Sequence, residues 1–167
     1  MKYLRAIEPE DLDLMYIIEN DPKLTQYSST TVPLSRYALK QYIAESSGDL
    51  YRDSQVRMTI IDAASNTACG FLDLTDLSAV HRRAQVGIVL MEDARGRGIA
   101  TLALNEATAY AREQGLHQLY AVVASCNHLA CNLFLHSGYI QVSILPQWLY
   151  VNGKYVDATL FQIILSD

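Results

Sequence analysis

Arg95-Gly96-Arg97-Gly98-Ile99-Ala100 is the stretch on which the reading of this chain turns. It follows a β-rich run that ends near Met91. It precedes the clearest helical stripe in the sequence, Ile99, Leu102, Ala103, Ala107, Tyr110 and Ala111, which Gly115 closes. Glycines between a strand and a helix let the backbone turn tightly with its amides facing one way. The unpaired N–H groups and the dipole of the helix start then favour a phosphate, and Arg95 and Arg97 add positive charge. The competing reading is a plain glycine-rich surface turn. Two other phosphate loops fail on these residues. A Walker loop needs Gly-Lys-Ser/Thr, which is absent, and the dinucleotide fingerprint needs a glycine or alanine where Thr101 stands.

Working outward, three strand-like runs at about 55–62, 68–77 and 83–91 precede the loop and suggest an antiparallel meander. Ahead of them stand a short strand at Tyr3 to Ile7 and a helix through Leu12, Met15, Tyr16 and Ile18 that Asn20-Asp21-Pro22 stops. Lys23 to Val32 reads as a polar loop. Pro33 then fits a first helical position, with Leu34, Tyr37, Ala38, Gln41 and Tyr42 carrying a second helix to Ser46-Ser47-Gly48. After the central helix come a strand at Gln118 to Ala124 and a helix at Leu129 to His136 closed by Gly138. Two long strand patterns, 139–151 and 154–165, are joined by Asn152-Gly153, a strong hairpin signal. The order β-α-α-β-β-β-α-β-α-β-β predicts one α/β domain over residues 1–167, an α+β mixed sheet and not a regular doubly wound one.

Composition narrows the partners. Thirteen Lys and Arg against eighteen Asp and Glu give a net charge of -5, and residues 1–53 hold nine acids against six bases. That balance lacks the cationic excess nucleic-acid or anionic-membrane binding needs, and it suits a cationic or amine ligand. No run of about 18 uncharged apolar residues occurs, and Glu8, Glu10 and Asp11 interrupt the start, so a cytoplasmic protein without a membrane span is expected. Three cysteines, Cys69, Cys126 and Cys131, are an odd number without paired-motif spacing and are expected as reduced thiols. His128, His136, Cys126 and Cys131 fit no standard metal spacing, so no metal is expected.

Arg95, Gly98 and Ala100 match the pattern Arg/Gln-x-x-Gly-x-Gly/Ala. Asn127, Ala130, Phe134 and Gly138-Tyr139 match a second segment, Asn-x-x-Ala-x-x-x-Tyr-x-x-x-Gly-Phe. Together they resemble the GNAT N-acetyltransferases. The resemblance implies a mostly antiparallel sheet of about seven strands flanked by about four helices, with the fourth and fifth strands splayed apart. It also implies acetyl-CoA as co-substrate: pyrophosphate on Arg95, Gly96, Arg97, Gly98, Ile99 and Ala100, pantetheine against the backbone of Ile88, Val89 and Leu90, and further contacts at Asn127 and Ala130. Asn127 reads equally as a helix N-cap, and the two roles are compatible.

The branch resembled most holds the spermidine/spermine and ribosomal-protein N-terminal acetyltransferases. Leu4-Arg5 with Asp11-Leu12, Gly70-Phe71-Leu72-Asp73 with Asp76, His81-Arg82 with Ala84, and Asn152-Gly153-Lys154-Tyr155 with Asp157 are similar to the polyamine enzymes. Three departures stand out. Thr31-Val32-Pro33 replaces an acidic pair beside the proline, Gln85 replaces a glutamate, and Phe134 replaces the tyrosine that protonates the departing thiolate. Phenylalanine cannot donate a proton, and losing one general acid costs on the order of 10² to 10⁴ in rate.

For the base, Asp73, Asp76 and Glu92 are candidates. Asp73 and Asp76 fall on opposite faces of a regular strand unless a bulge intervenes. The expected activity is transfer of an acetyl group to a primary amine of a small polyamine-like acceptor, with a homo-oligomer as a possible assembly. Acetylation of a protein N-terminus, or a CoA-binding module without catalysis, are the alternatives.

Overall fold

The computed structural model describes residues 1–28 and 32–165. Thr31, and with it part of the Lys23 to Val32 loop, lies outside them. Seven strands form one sheet in the order β1-β2-β3-β4-β5-β7-β6: β1 Leu4–Ala6, β2 Val56–Asp62, β3 Thr67–Ser78, β4 Arg83–Leu90, β5 Gln118–Ala124, β6 Ile140–Val151 and β7 Lys154–Ile164. Every neighbouring pair is antiparallel except β4 and β5. The helices among the described residues are α1 Leu12–Asn20, α2 Pro22–Thr25, α3 Arg36–Glu45, α4 Leu50–Asp53, α5 Ile99–Glu113 and α6 His128–His136. None is long and apolar enough to cross a membrane.

Alternation along the strands divides the sheet's two faces. Val56, Met58, Ile60, Leu72, Leu74, Val86, Leu119, Ala121 and Phe161 face one way. They pack against Ala103, Leu104, Ala107 and Ala111 of α5 and Phe134 of α6. Phe71 faces the other way, onto Met15, Ile18 and Leu39 of α1 and α3. The hairpin between β6 and β7 turns at Asn152 (φ 49°) and Gly153 (φ 78°), the two left-handed residues a type I′ turn requires.

Three local expectations need correction. Pro33 does not open the second helix, because the Ser35 side chain accepts the Ala38 N–H at 3.1 Å and sets the cap two residues later. The segment from Lys23 is not loop throughout, since Asp21 accepts the Lys23 N–H at 2.8 Å and starts α2 at Pro22. Asp49 likewise caps the unexpected turn α4.

Two carboxylates fix the N-terminal strand. Glu106 of α5 accepts the backbone N–H groups of Lys2, Tyr3 and Leu4 at 2.6, 2.9 and 3.0 Å. Asp11, 2% exposed, takes both ends of the Arg5 guanidinium at 2.7 Å, the Thr59 hydroxyl at 2.7 Å and the Glu8 N–H at 2.9 Å.

Candidate functional site

The strand pairing opens beside the loop at 95–100. β4 and β5 pair over three positions, Arg83 with Gln118, Ala84 with Leu119 and Gln85 with Tyr120, while β4 stays paired to β3 as far as Leu90. From Val86 onward, the β5 side of β4 is therefore open. Met91 N–H bonds Cys69 C=O, and antiparallel hydrogen bonding alternates, so Val89 and Gly87 turn their backbone groups towards β3. Ile88 and Leu90 turn theirs to the opening. Leu90 C=O is already taken by Arg95 Nε at 3.2 Å and Nη2 at 3.1 Å.

The loop closes one end of this opening. Gly96 (φ 70°) and Gly98 (φ 76°) are left-handed, Gly98 is the N-cap of α5, and a Cβ at either would meet nothing within 4 Å. The first intrahelical bond runs from Leu102 N–H to Gly98 C=O at 3.2 Å. The N–H groups of Ile99, Ala100 and Thr101 are thus free of intrahelical partners. Open space, exposed amides and a helix dipole fit a diphosphate. Arg97 pairs with Asp62 at 2.7 Å, so both arginine side chains brace the loop as well as charging it.

At the other side of the opening Asn127 caps α6, its Oδ1 accepting the Ala130 N–H at 3.2 Å. This is the capping geometry its sequence position suggested. Tyr27 brings its phenol against the neighbouring Cys126 thiol, and burial first, then that contact, raises the phenol's pKa. Phe134 is 3% exposed, its ring edge-on to Tyr139 at 5.1 Å and stacked on Phe161 at 5.8 Å. Phe134→Tyr is expected to leave CoA release unchanged or raise it. A lower melting temperature with no gain in rate would show that the ring's tip is walled in by this aromatic cluster.

The three acid candidates are dispersed. Glu92 is exposed on a 3₁₀ turn after β4, and Asp76 sits at a left-handed position (φ 50°) in a bulge between Thr75 and Ser78, accepting the Tyr120 hydroxyl. Burial and that contact push the Tyr120 phenol up to about 12. Asp73 alone of the three lines an open cavity of about 310 Å³ between α1, α3, β2 and β3. At its base Arg57 bonds Asp73 through Nε at 2.6 Å and Nη2 at 2.8 Å, and Glu19 through Nη1 at 2.5 Å. Burial disfavours the guanidinium's charge, but the two carboxylates outweigh it and raise the Arg57 pKa, so it stays charged. Arg57 and Glu19 were not singled out in the sequence, where nothing in their spacing marks them. The cysteines are free thiols.

A family model described as Acetyltransferase (GNAT) domain matches residues 3–140. The spermidine N(1)-acetyltransferase of Vibrio cholerae is 25% identical over 164 residues, covering 98% of this chain and 92% of that protein. A crystal structure of the spermidine N-acetyltransferase from Vibrio cholerae in complex with CoA and spermine superposes with a TM-score of 0.86 at 24% identity, over 97% of this chain and 94% of that one. A dodecameric structure of the spermidine N-acetyltransferase from the same organism gives 0.79 at 24% identity, over 98% and 93%.

Proposed function

The chain belongs to the GNAT acetyltransferase family, and from that premise we propose that it moves the acetyl group of acetyl-CoA to a primary amine of a small polyamine-like acceptor. The observation that carries this reading is the junction of two features. An opened β4–β5 seam exposes the backbone of Ile88 and Leu90, and a left-handed glycine loop with free amides stands at its end.

Acetyl-CoA supplies an activated thioester. The chain's residues hold it and prepare the amine. The amides from Gly96 to Ala100 receive the pyrophosphate, with Arg95 and Arg97 charging the loop. The outward backbone groups of Ile88 and the N–H of Leu90 hold the pantetheine arm, the Leu90 C=O being taken by Arg95, while Val89 keeps β4 fixed to β3. Asn127, whose Oδ1 is spent on its cap, offers its NH₂, and Ala130 packs beside it. Asp73, its two oxygens bonded to Arg57, faces the cavity and attracts the cationic acceptor, whose reacting ammonium releases its proton to water. Asp76 and Glu92 stand outside that cavity. Phe134 carries no acidic proton, so sulfur's proton comes from water or from a nearby tyrosine hydroxyl.

The acidic balance and the carboxylates of the cavity favour a cationic acceptor, in keeping with the spermidine acetyltransferases the chain is similar to. A cytoplasmic setting fits the free cysteines. Assembly into a homo-oligomer fits the bare apolar side chains of Ile140, Ile144, Trp148 and Tyr150 along the edge strand β6 and the dodecamer of the Vibrio structure.

The test is release of free CoA with polyamines, amino acids, aminoglycosides and short peptides as acceptors, beside thermal melting with acetyl-CoA. A ligand that binds only the native state at a hundredfold excess over Kd adds about 2.7 kcal/mol. For a chain of this size that raises Tm by roughly 5–10 °C. No shift at millimolar acetyl-CoA would make the glycine loop a mere turn. A shift with no CoA release from any amine would favour the binding module without catalysis, and release with peptides alone would favour protein N-termini.

A further inference from the structure

Across β2, β3 and β4 the register places Arg57, Asp73 and Gly87 in one row. The side chains of Arg57 and Asp73 stand on the face covered by α1 and α3, where they line the cavity. Gly87 occupies the third place in the row and puts nothing there, and a Cβ built on it would meet no atom within 4 Å. It lies two residues beyond Gln85, the last β4 residue paired to β5. The row thus runs from the cavity to the rim of the open seam and ends in a gap. The span is one to two strand spacings, about 5–10 Å, the reach of a short alkyl chain.

The cavity's charge is as specific as its place. Glu19 and Asp73 bring two negative charges and Arg57 one positive, leaving one negative charge in surplus. The guanidinium is spent on the two carboxylates and is not offered to a ligand's carboxylate. Leu34, Ala38 and Tyr42 supply apolar wall above the acids. A single ammonium on a slender methylene stem satisfies this surface, whereas an amine with a neighbouring carboxylate meets the surplus charge unscreened.

We propose that Gly87 is the passage through which the acceptor's reacting amine reaches the β4–β5 opening, while the acceptor's second ammonium is seated at Glu19 and Asp73. This deepens the acetyltransferase reading and rests on it. It selects linear diamines and longer polyamines over amino acids and over amines branched near the reacting nitrogen.

The experiment compares 1,4-diaminobutane with butylamine at saturating acetyl-CoA in the unmodified protein, Gly87→Ala, Gly87→Val and Glu19→Gln, with melting curves in the presence and absence of acetyl-CoA. Gly87→Val is expected to lower kcat/KM for both amines by about 10- to 100-fold, Gly87→Ala by less, with the melting shift on acetyl-CoA retained. Glu19→Gln is expected to raise KM for the diamine about tenfold and to leave KM for butylamine unchanged. If Gly87→Val fails to fold, Gly87→Ala and Glu19→Gln decide. The inference is overturned if the glycine variants turn over the diamine as the unmodified protein does, if they lose the acetyl-CoA shift, or if Glu19→Gln affects both amines equally. An unmodified protein that binds acetyl-CoA and acetylates no amine overturns the acetyltransferase reading, and the inference with it.

Discussion

Gly98→Asp is expected to weaken acetyl-CoA binding by at least about a hundredfold while the protein stays folded. Two amide-to-phosphate bonds at about 1.5–3 kcal/mol each are enough for that loss, since about 1.4 kcal/mol is a factor of ten. The carboxylate would stand in open space at the N-terminus of a helix of 15 residues, where an incoming diphosphate would meet its charge. Stability should change less. The left-handed position (φ 76°) costs a side chain about 1–2 kcal/mol, but aspartate is a good N-cap and offsets part of it. Calorimetric titration beside a melting curve separates the two effects. A folded variant with unaltered affinity would place the phosphates elsewhere.

The largest effect on stability is expected at Asp11. Removing its carboxylate in Asp11→Ala strands the Arg5 guanidinium, the buried Thr59 hydroxyl and the Glu8 N–H together. Breaking a buried pair from one side costs about 3–5 kcal/mol. Because the Arg5 side chain is 38% exposed and water can take it up, the low end applies, about 3 kcal/mol. That is a fall of roughly 6–12 °C in Tm.

The same group predicts a pH dependence. Burial alone would raise the Asp11 pKa, but bonds from Arg5, Glu8 and Thr59 outweigh it, so the folded carboxyl titrates below the usual carboxylate range. A depressed folded pKa contributes stability that is fully present above the unfolded value of about 3.9. That stability is lost as pH falls through the folded value. Melting temperature should therefore fall more steeply below about pH 5 in the unmodified protein than in Asp11→Ala. Parallel curves would show that the carboxylate is not the stabilising charge.

Elements carried by local chemistry could be read directly from the residues. β5 spans Gln118–Ala124 as its β-rich run indicates, Gly98 and Gly115 bracket the long helix, and Asn152-Gly153 turns the last hairpin. The four-residue helices α2 and α4 were missed because a single capping aspartate decides each, and no hydrophobic period fits in one turn. The site divides in the same way. The glycine loop proposed to hold the pyrophosphate is contiguous, and its glycines mark it in the sequence. The Glu19–Arg57–Asp73 cluster comes from three elements, and only strand register and helix packing bring it together. Whether Asp73 and Asp76 share a face hinged on a bulge, and the bulge carries Asp76 away to Tyr120.

The three-pair seam between β4 and β5 has a consequence for cohesion. Strands β1 to β4 all precede Met91 and strands β5 to β7 all follow His117, so the two halves of the sheet are also two halves of the chain. Among the described residues they share one short parallel joint, reinforced by α5, which touches β1, β3 and β5. The proposed cofactor site straddles that joint, taking Ile88 and Leu90 from one half and the start of α5 and Asn127 from the other. Occupancy and cohesion are then thermodynamically linked: opening the joint weakens the ligand's hold by the same free energy with which the ligand tightens the joint.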